Sequence, residues 1–310
     1  MNCHAKPARA YMLSACLLIP CSAWTASLQS QIESEFKAGH AAAAAALLRQ
    51  DADAGTPESQ YGLGLLYEKG SSQANIASDD AQAFHWYTLA AEKGYAPAEN
   101  NLGFLYYTGR GTAQNYLQAV SWYGKAATQG NAMAQYNLGT LYYRGHGVIQ
   151  DYHRAMAFYR QAAHKKNASA ENNLGFMYEH ALGVTRDYRQ AMRWYARAAR
   201  DGEIYAQRNL AEMYEHGLGA ERDYAQALAW YRKAAAQGHA HAQMKLGLLY
   251  EQGLGANKDV VESYAWYWTA AQNGNKEAKE AVARLDKQLT AAQIAEAHER
   301  ATHLAIAKPS

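Results

Sequence analysis

Between residues 57 and 274 the apolar positions fall at helical spacing, and the helical segments themselves recur. An aromatic-Tyr pair marks the period: Trp86-Tyr87, Trp122-Tyr123, Phe158-Tyr159, Trp194-Tyr195, Trp230-Tyr231 and Trp266-Tyr267, each thirty-six residues after the last. A repeat of that length is one supersecondary unit that buries its apolar side against copies of itself. The first segment of each unit carries a leucine directly before a small residue, which is Gly64, Gly103, Gly139, Gly175, Ala211 or Gly247, and a tyrosine three places after it. In five of six copies an alanine stands five places before the small residue, as in Ala134, Leu138, Gly139 and Tyr142. These offsets share one side of an α-helix.

The second segment opens with Asp79, Asn115, Asp151, Asp187, Asp223 or Asp259, short acceptors suited to capping the free N–H groups of a first turn. It continues through the aromatic-Tyr pair to a double alanine such as Ala126-Ala127, and in five of six copies a glycine ends it. A Gly-rich turn such as Gly109-Arg110-Gly111 joins the two segments. The expected fold is all-α, an α/α superhelical solenoid of about six helix-turn-helix repeats spanning 57–274. Segments 24–56 and 275–310 are expected to be helical caps that shield the ends of the stack. Gly64 and Gly103 are thirty-nine apart, so the first copy carries an insertion of three residues within Ser71 to Ser78, expected to bulge as a polar turn.

Ala134-Gln135-Tyr136-Asn137-Leu138-Gly139-Thr140-Leu141-Tyr142, followed by Asp-Tyr-x-x-Ala-x-x-Trp-Tyr-x-x-Ala-Ala-x-x-Gly, resembles the Sel-one-like repeat family, a branch of the tetratricopeptide-like α/α solenoids. Leu289 to Ala297 resembles the closing cap of many bacterial members. The resemblance implies a scaffold that assembles protein complexes. In the related tetratricopeptide arrays, the variable stripe of the first helices lines a concave groove that holds peptides.

That stripe lies three places before, one after and four after the small residue. The first position holds Tyr61, Asn100, Tyr136, Asn172, Arg208 and Met244; the second holds Leu65, Phe104, Thr140, Phe176, Glu212 and Leu248. The third holds Glu68, Tyr107, Tyr143, Glu179, Glu215 and Glu251. Aromatic anchors thus gather in the early repeats and carboxylates in the late ones, a surface suited to a protein or peptide partner with an apolar and a basic portion. The aromatic-Tyr pairs, by contrast, sit at invariant places and are assigned to packing rather than to ligand stacking.

Composition narrows the alternatives. At 49% hydrophobic and 19% charged residues the chain is globular, and a formal net charge of +2 with no basic run gives no nucleic-acid footprint. No nucleophile-elbow, zinc-protease or phosphate-loop motif occurs, so no enzyme activity, cofactor or metal is expected. His180 and His216 occupy equivalent places and are assigned to exposed turns. Lys6 and Arg9, the apolar run Ala10 to Ile19 and the small residues Cys21-Ser22-Ala23 describe a secretory signal peptide over 1–23. Cys16 or Cys21 as a lipidated residue is the weaker alternative. The expectation is an exported, periplasmic or secreted monomer with no membrane span after cleavage. Cysteine-rich relatives that bind or hydrolyse β-lactams imply a rival enzyme reading. They carry a cysteine pair in each repeat, whereas here all three cysteines precede residue 22. Surface aromatics beside Asn100, Asn172 and Glu179 also admit peptidoglycan as a ligand.

Overall fold

A computed structural model of the chain describes residues 26–306; the expected signal peptide and the extreme ends of both expected caps lie outside the described residues. The described residues form sixteen helices. Two precede the repeats, α1 (Ala26–Lys37) and α2 (Ala41–Asp53). Six pairs follow: α3 (Pro57–Lys69) with α4 (Asp80–Glu92), α5 (Ala96–Thr108) with α6 (Tyr116–Thr128), and α7 (Ala132–Arg144) with α8 (Tyr152–His164). The later pairs are α9 (Ala168–His180) with α10 (Tyr188–Arg200), α11 (Ile204–His216) with α12 (Tyr224–Ala236), and α13 (Ala240–Gln252) with α14 (Val260–Gln272). Helices α15 (Lys276–Leu285) and α16 (Ala291–Ile306) close the chain. Adjacent helix pairs pack as repeats, the architecture of an α/α solenoid. The contacts divide into two compact units, one ending at Ala162 and the other beginning at Ala163.

The second helices start where short acceptors stop them from fraying. Asp79, Asn115, Asp151, Asp187, Asp223 and Asp259 each accept a backbone N–H from the first turn. Between the helices of a pair the chain reverses through left-handed residues. In the fifth repeat Gly219 has φ of +80°, and a Cβ there would stand 2.4 Å from the carbonyl oxygen of Tyr188 in the preceding repeat. Only glycine satisfies both demands.

The core is built between repeats as much as within them. In the first unit, Ala83, Tyr87, Ala90 and Ala91 of α4 bury against Ala98, Leu102 and Leu105 of α5. In the second, Ala191, Tyr195, Ala198 and Ala199 of α10 meet Ala206, Leu210 and Met213 of α11 in the same way. The tyrosine of the aromatic-Tyr pair is the keystone. A Cβ on Gly103 would stand 2.8 Å from the Tyr123 ring, so the ring rests directly on the α5 backbone. The tyrosine three residues after the glycine shares its side of the helix but does not take this space. In the structure that residue, Tyr106, instead packs edge-on against Phe84 of the preceding repeat.

The insertion departs in part from expectation. Ser71 and Ile76 exchange backbone hydrogen bonds of 2.7 and 2.8 Å, closing a small loop. Ser72, Gln73, Asn75 and Ser78 are exposed as expected of a polar turn, but Ala74 and Ile76 turn inward onto the cluster of Leu63, Leu66 and Trp86 and pin the loop to the core.

A buried polar position lies four residues before each small residue. Gln60, Gln135, Gln207 and Gln243 donate to the carbonyls of Ala52, Ala127, Ala199 and Ala235. The oxygens of Gln207 and Gln243 accept from Gln237 and Asn273. Glu99 and Glu171 hold the same position in two repeats, 3% and 1% exposed, and an ionised carboxylate has no proton to donate. Burial pushes the Glu99 carboxyl above its ordinary value, against the nearby charge of Lys125 and the hydrogen bond from Gln129. The folded state therefore binds this proton more tightly than the unfolded chain, and the resulting stability is lost as pH rises through the raised value. Replacing Glu99 with Gln restores both hydrogen bonds of the glutamine copies without the charge. It is expected to raise stability at pH 7 by about 1 kcal/mol, with the gain shrinking towards pH 4. Denaturant melts of both proteins at the two pH values check this.

Candidate functional site

The predicted stripe has a different character in each repeat. Asn100 and Met244 are 8% and 7% exposed and offer almost no surface to a partner. Asn100 accepts a hydrogen bond from Asn137 at 3.0 Å, and Met244 packs in the closing cluster with Leu248 half-buried beside it. Asn172 likewise accepts from Asn209 at 2.9 Å. Tyr61 lies half-buried with its ring 5.6 Å from that of Tyr87. Tyr143 sits 5.5 Å from the Tyr152 ring, and its own burial holds its hydroxyl proton more firmly than usual.

The carboxylates of the late repeats are engaged inside the chain. Glu179 accepts from the hydroxyl of Tyr195 at 2.7 Å, Glu215 from Tyr231 at 2.5 Å, and Glu251 from Tyr267 at 3.0 Å. Glu68 does the same for Tyr87 at 2.7 Å. Ion pairs add to this. Arg208 and His241 reach Glu212, Lys245 reaches Glu215, and Arg284 grips Glu251 with two bonds. Burial raises the Glu212 carboxyl, but His241 and Arg208 outweigh it and hold the group below the usual range. For Glu251 the Arg284 bonds dominate and lower it. These groups fix the first helices to the second ones. A basic partner would have to displace them.

The second and third repeats break this pattern. There the glutamate gives way to Tyr107 and Tyr143, so the pair tyrosines lose their carboxylate acceptor. In the third repeat Thr140 substitutes, its hydroxyl 3.1 Å from that of Tyr159. In the second, Phe104 stands at the corresponding place, and among the described residues no acceptor reaches the Tyr123 hydroxyl. Its proton is held up by burial and by the neighbouring Tyr107. The outcome is a recess of about 250 Å³ lined by Phe104, Tyr107, Tyr123, Tyr136, Asn137, Thr140, Leu141 and Arg144. Phe104 is 39% exposed at its rim, and the Arg144 guanidinium donates to the Tyr107 hydroxyl at 3.3 Å. Four of the predicted residues, Phe104, Tyr107, Tyr136 and Thr140, therefore meet in one place.

Tyr123, Asn137 and Arg144 were missed by sequence reasoning because the first belongs to the invariant pair and the others lie off the stripe. The signal was present nonetheless: an invariant tyrosine whose usual partner is replaced by an aromatic residue. Phe176 is 38% exposed, with its ring centroid 4.1 Å from that of His180. Among the described residues no three His, Cys, Asp or Glu side chains form a group able to hold a metal ion. No helix there is long and apolar enough to cross a membrane.

The repeat model described as Sel1 repeat matches residues 57–95, 96–131, 132–167, 168–203, 204–239 and 240–275. The chain belongs to the Sel1 repeat family. Among solved structures it is 36% identical to c5321, a protective antigen of uropathogenic Escherichia coli displaying an SLR fold, with a TM-score of 0.74. That match covers 82% of this chain and 54% of the antigen, so this chain spans little more than half the antigen's length. A Sel1 repeat protein from Oxalobacter formigenes is 32% identical with a TM-score of 0.71, over 81% of this chain and all of that one. No curated protein matches. Sel1 repeat proteins generally act in protein–protein interaction and are generally not enzymes.

Removing single hydroxyls separates structural from available tyrosines. Tyr195→Phe strands the Glu179 carboxylate and is expected to cost about 1–2 kcal/mol. Tyr123→Phe, with no bond to lose, is expected to stay within about 0.5 kcal/mol of the parent. Thermal melts of the two variants side by side provide the measurement.

Proposed function

We propose that this Sel1 repeat protein is an exported, non-catalytic adaptor of the bacterial envelope. In this reading it holds a peptide segment of a partner protein in the recess of the second and third repeats. An apolar side chain of the segment lies among Phe104, Tyr107 and Tyr136, and a backbone carbonyl accepts from the Tyr123 hydroxyl. The observation that supports this most is the unpartnered Tyr123 hydroxyl at the wall of an aromatic recess, where most other repeats close the same place with an internal glutamate. A buried tyrosine with no internal acceptor beside exposed aromatic surface is the composition of an interaction hot spot. Export rests on the charged start, short apolar core and small residues of the leader.

The test is capture of partners from periplasmic extract by the parent and by Phe104→Ala combined with Tyr107→Ala. Truncating two anchors is expected to remove the captured partner, each costing about 1–3 kcal/mol of binding. An identical captured set from a variant that still melts cooperatively overturns the recess. Sedimentation with purified peptidoglycan, abolished by the same variant, assigns the recess to glycan instead of protein.

A further inference from the structure

Helix α10 carries four arginines, Arg189, Arg193, Arg197 and Arg200, in steps of four, four and three residues. That stepping places them on one stripe of the helix, and all four are exposed. The other repeats act as internal controls. At the matching places their second helices hold Ala81, His85, Leu89 and Glu92, or Leu117, Ser121, Lys125 and Thr128, or Ala225, Ala229, Lys233 and Ala236. No other second helix carries more than one lysine or arginine on this stripe, so packing of the repeat does not require the row.

Its chemistry is that of a docking surface. Arg197 bonds Glu171 at 2.7 Å and covers the Trp194 ring with its guanidinium 4.8 Å from the centroid. Among the described residues no carboxylate pairs with Arg189, Arg193 or Arg200. Gln190, Arg193, Trp194, Ala196, Arg197 and Arg200 line a depression of about 380 Å³. The row runs about 16 Å along the helix axis. It is bounded by the helix-capping Asp187 at one end and Asp201 at the other.

We propose that this face of α10 binds an acidic helix of a partner protein, whose Glu or Asp side chains follow the same four-four-three stepping. The reading is independent of the recess in the second and third repeats. Two stripes of equal pitch keep their charges in register over three turns, and planar guanidinium forks suit carboxylates. A flat anionic membrane would meet Asp187 and Asp201 together with the arginines, and no large apolar side chain stands exposed on α10 to enter lipid. Four arginines, one committed to Glu171, fall short of the roughly 6–10 phosphate contacts of a duplex-binding surface.

The experiment titrates the full chain against a fluorescein-labelled, alanine-based helical peptide of about four turns carrying glutamates in that stepping. The controls are a peptide of identical composition with scrambled register, phosphatidylglycerol vesicles and a DNA duplex. The in-register peptide is expected to bind about tenfold more tightly than the scrambled one and to lose about tenfold with Arg193→Glu. Phe104→Ala is expected to change nothing here. Equal binding of the two peptides, preference for vesicles or duplex, or indifference to Arg193→Glu each overturns the proposal. Should Arg193→Glu fail to fold, Arg189→Gln combined with Arg200→Gln asks the same question without charge reversal.

Discussion

In five of the six repeats a tyrosine ring rests on a helix backbone at a glycine and sets the geometry of the helix pair. The ring of Tyr123 meets α5 where Gly103 has no side chain, and the rings of Tyr195 and Tyr267 meet Gly175 and Gly247 in the same manner. The contact fixes how closely the helices of a pair approach, because a close-packed interior responds to even one added methyl. It also carries a polar hydroxyl across the core to the next turn of the first helix. Wherever that hydroxyl emerges it must find an acceptor, and the acceptor decides whether the surface there is closed or open.

Most repeats close it. Glu68, Glu179, Glu215 and Glu251 take the hydroxyl proton's hydrogen bond, and several are held in turn by arginine or lysine. Leaving such a carboxylate without its donor would cost more than the bond itself contributes, since a buried unsatisfied group keeps its full desolvation penalty. The row of glutamates therefore serves cohesion first. The second repeat, with an aromatic residue in place of the carboxylate, leaves its tyrosine hydroxyl facing a recess. An open recess arises here by omission of one structural contact.

The fold was legible because its cause is periodic. Helix caps at Asp187 and Asp223, turn glycines such as Gly219 and the aromatic-Tyr pair recur at one interval, and each has a local physical reason that needs no knowledge of the remainder. The site was legible only in part. Phe104, Tyr107, Tyr136 and Thr140 were found because they vary on a face predicted to be free, and they do line one recess. Asn100 and Met244 share that face by spacing alone, yet both are buried, Asn100 bonded by Asn137 of the next repeat and Met244 in the closing cluster. Spacing along one helix cannot register the approach of the next. Most of the glutamates looked like free acids for the same reason: the tyrosine partners of Glu68, Glu179, Glu215 and Glu251 lie sixteen or more residues away.

The arginine stripe escaped a search for basic runs because its members are separated by two or three mostly apolar residues, and a helix is needed to align them. Comparing repeats with one another recovers what a single helix hides. Positions identical in all six copies answer to packing, while a position that departs in only one or two copies has been released from that demand. Tyr107 in place of glutamate and the four arginines of α10 are both departures of this kind. One removes an internal acceptor and the other adds unpaired charge; neither strengthens the stack. A charge left unpaired on a surface contributes little to stability, so its concentration on one helix is better explained by what approaches from outside than by what lies beneath.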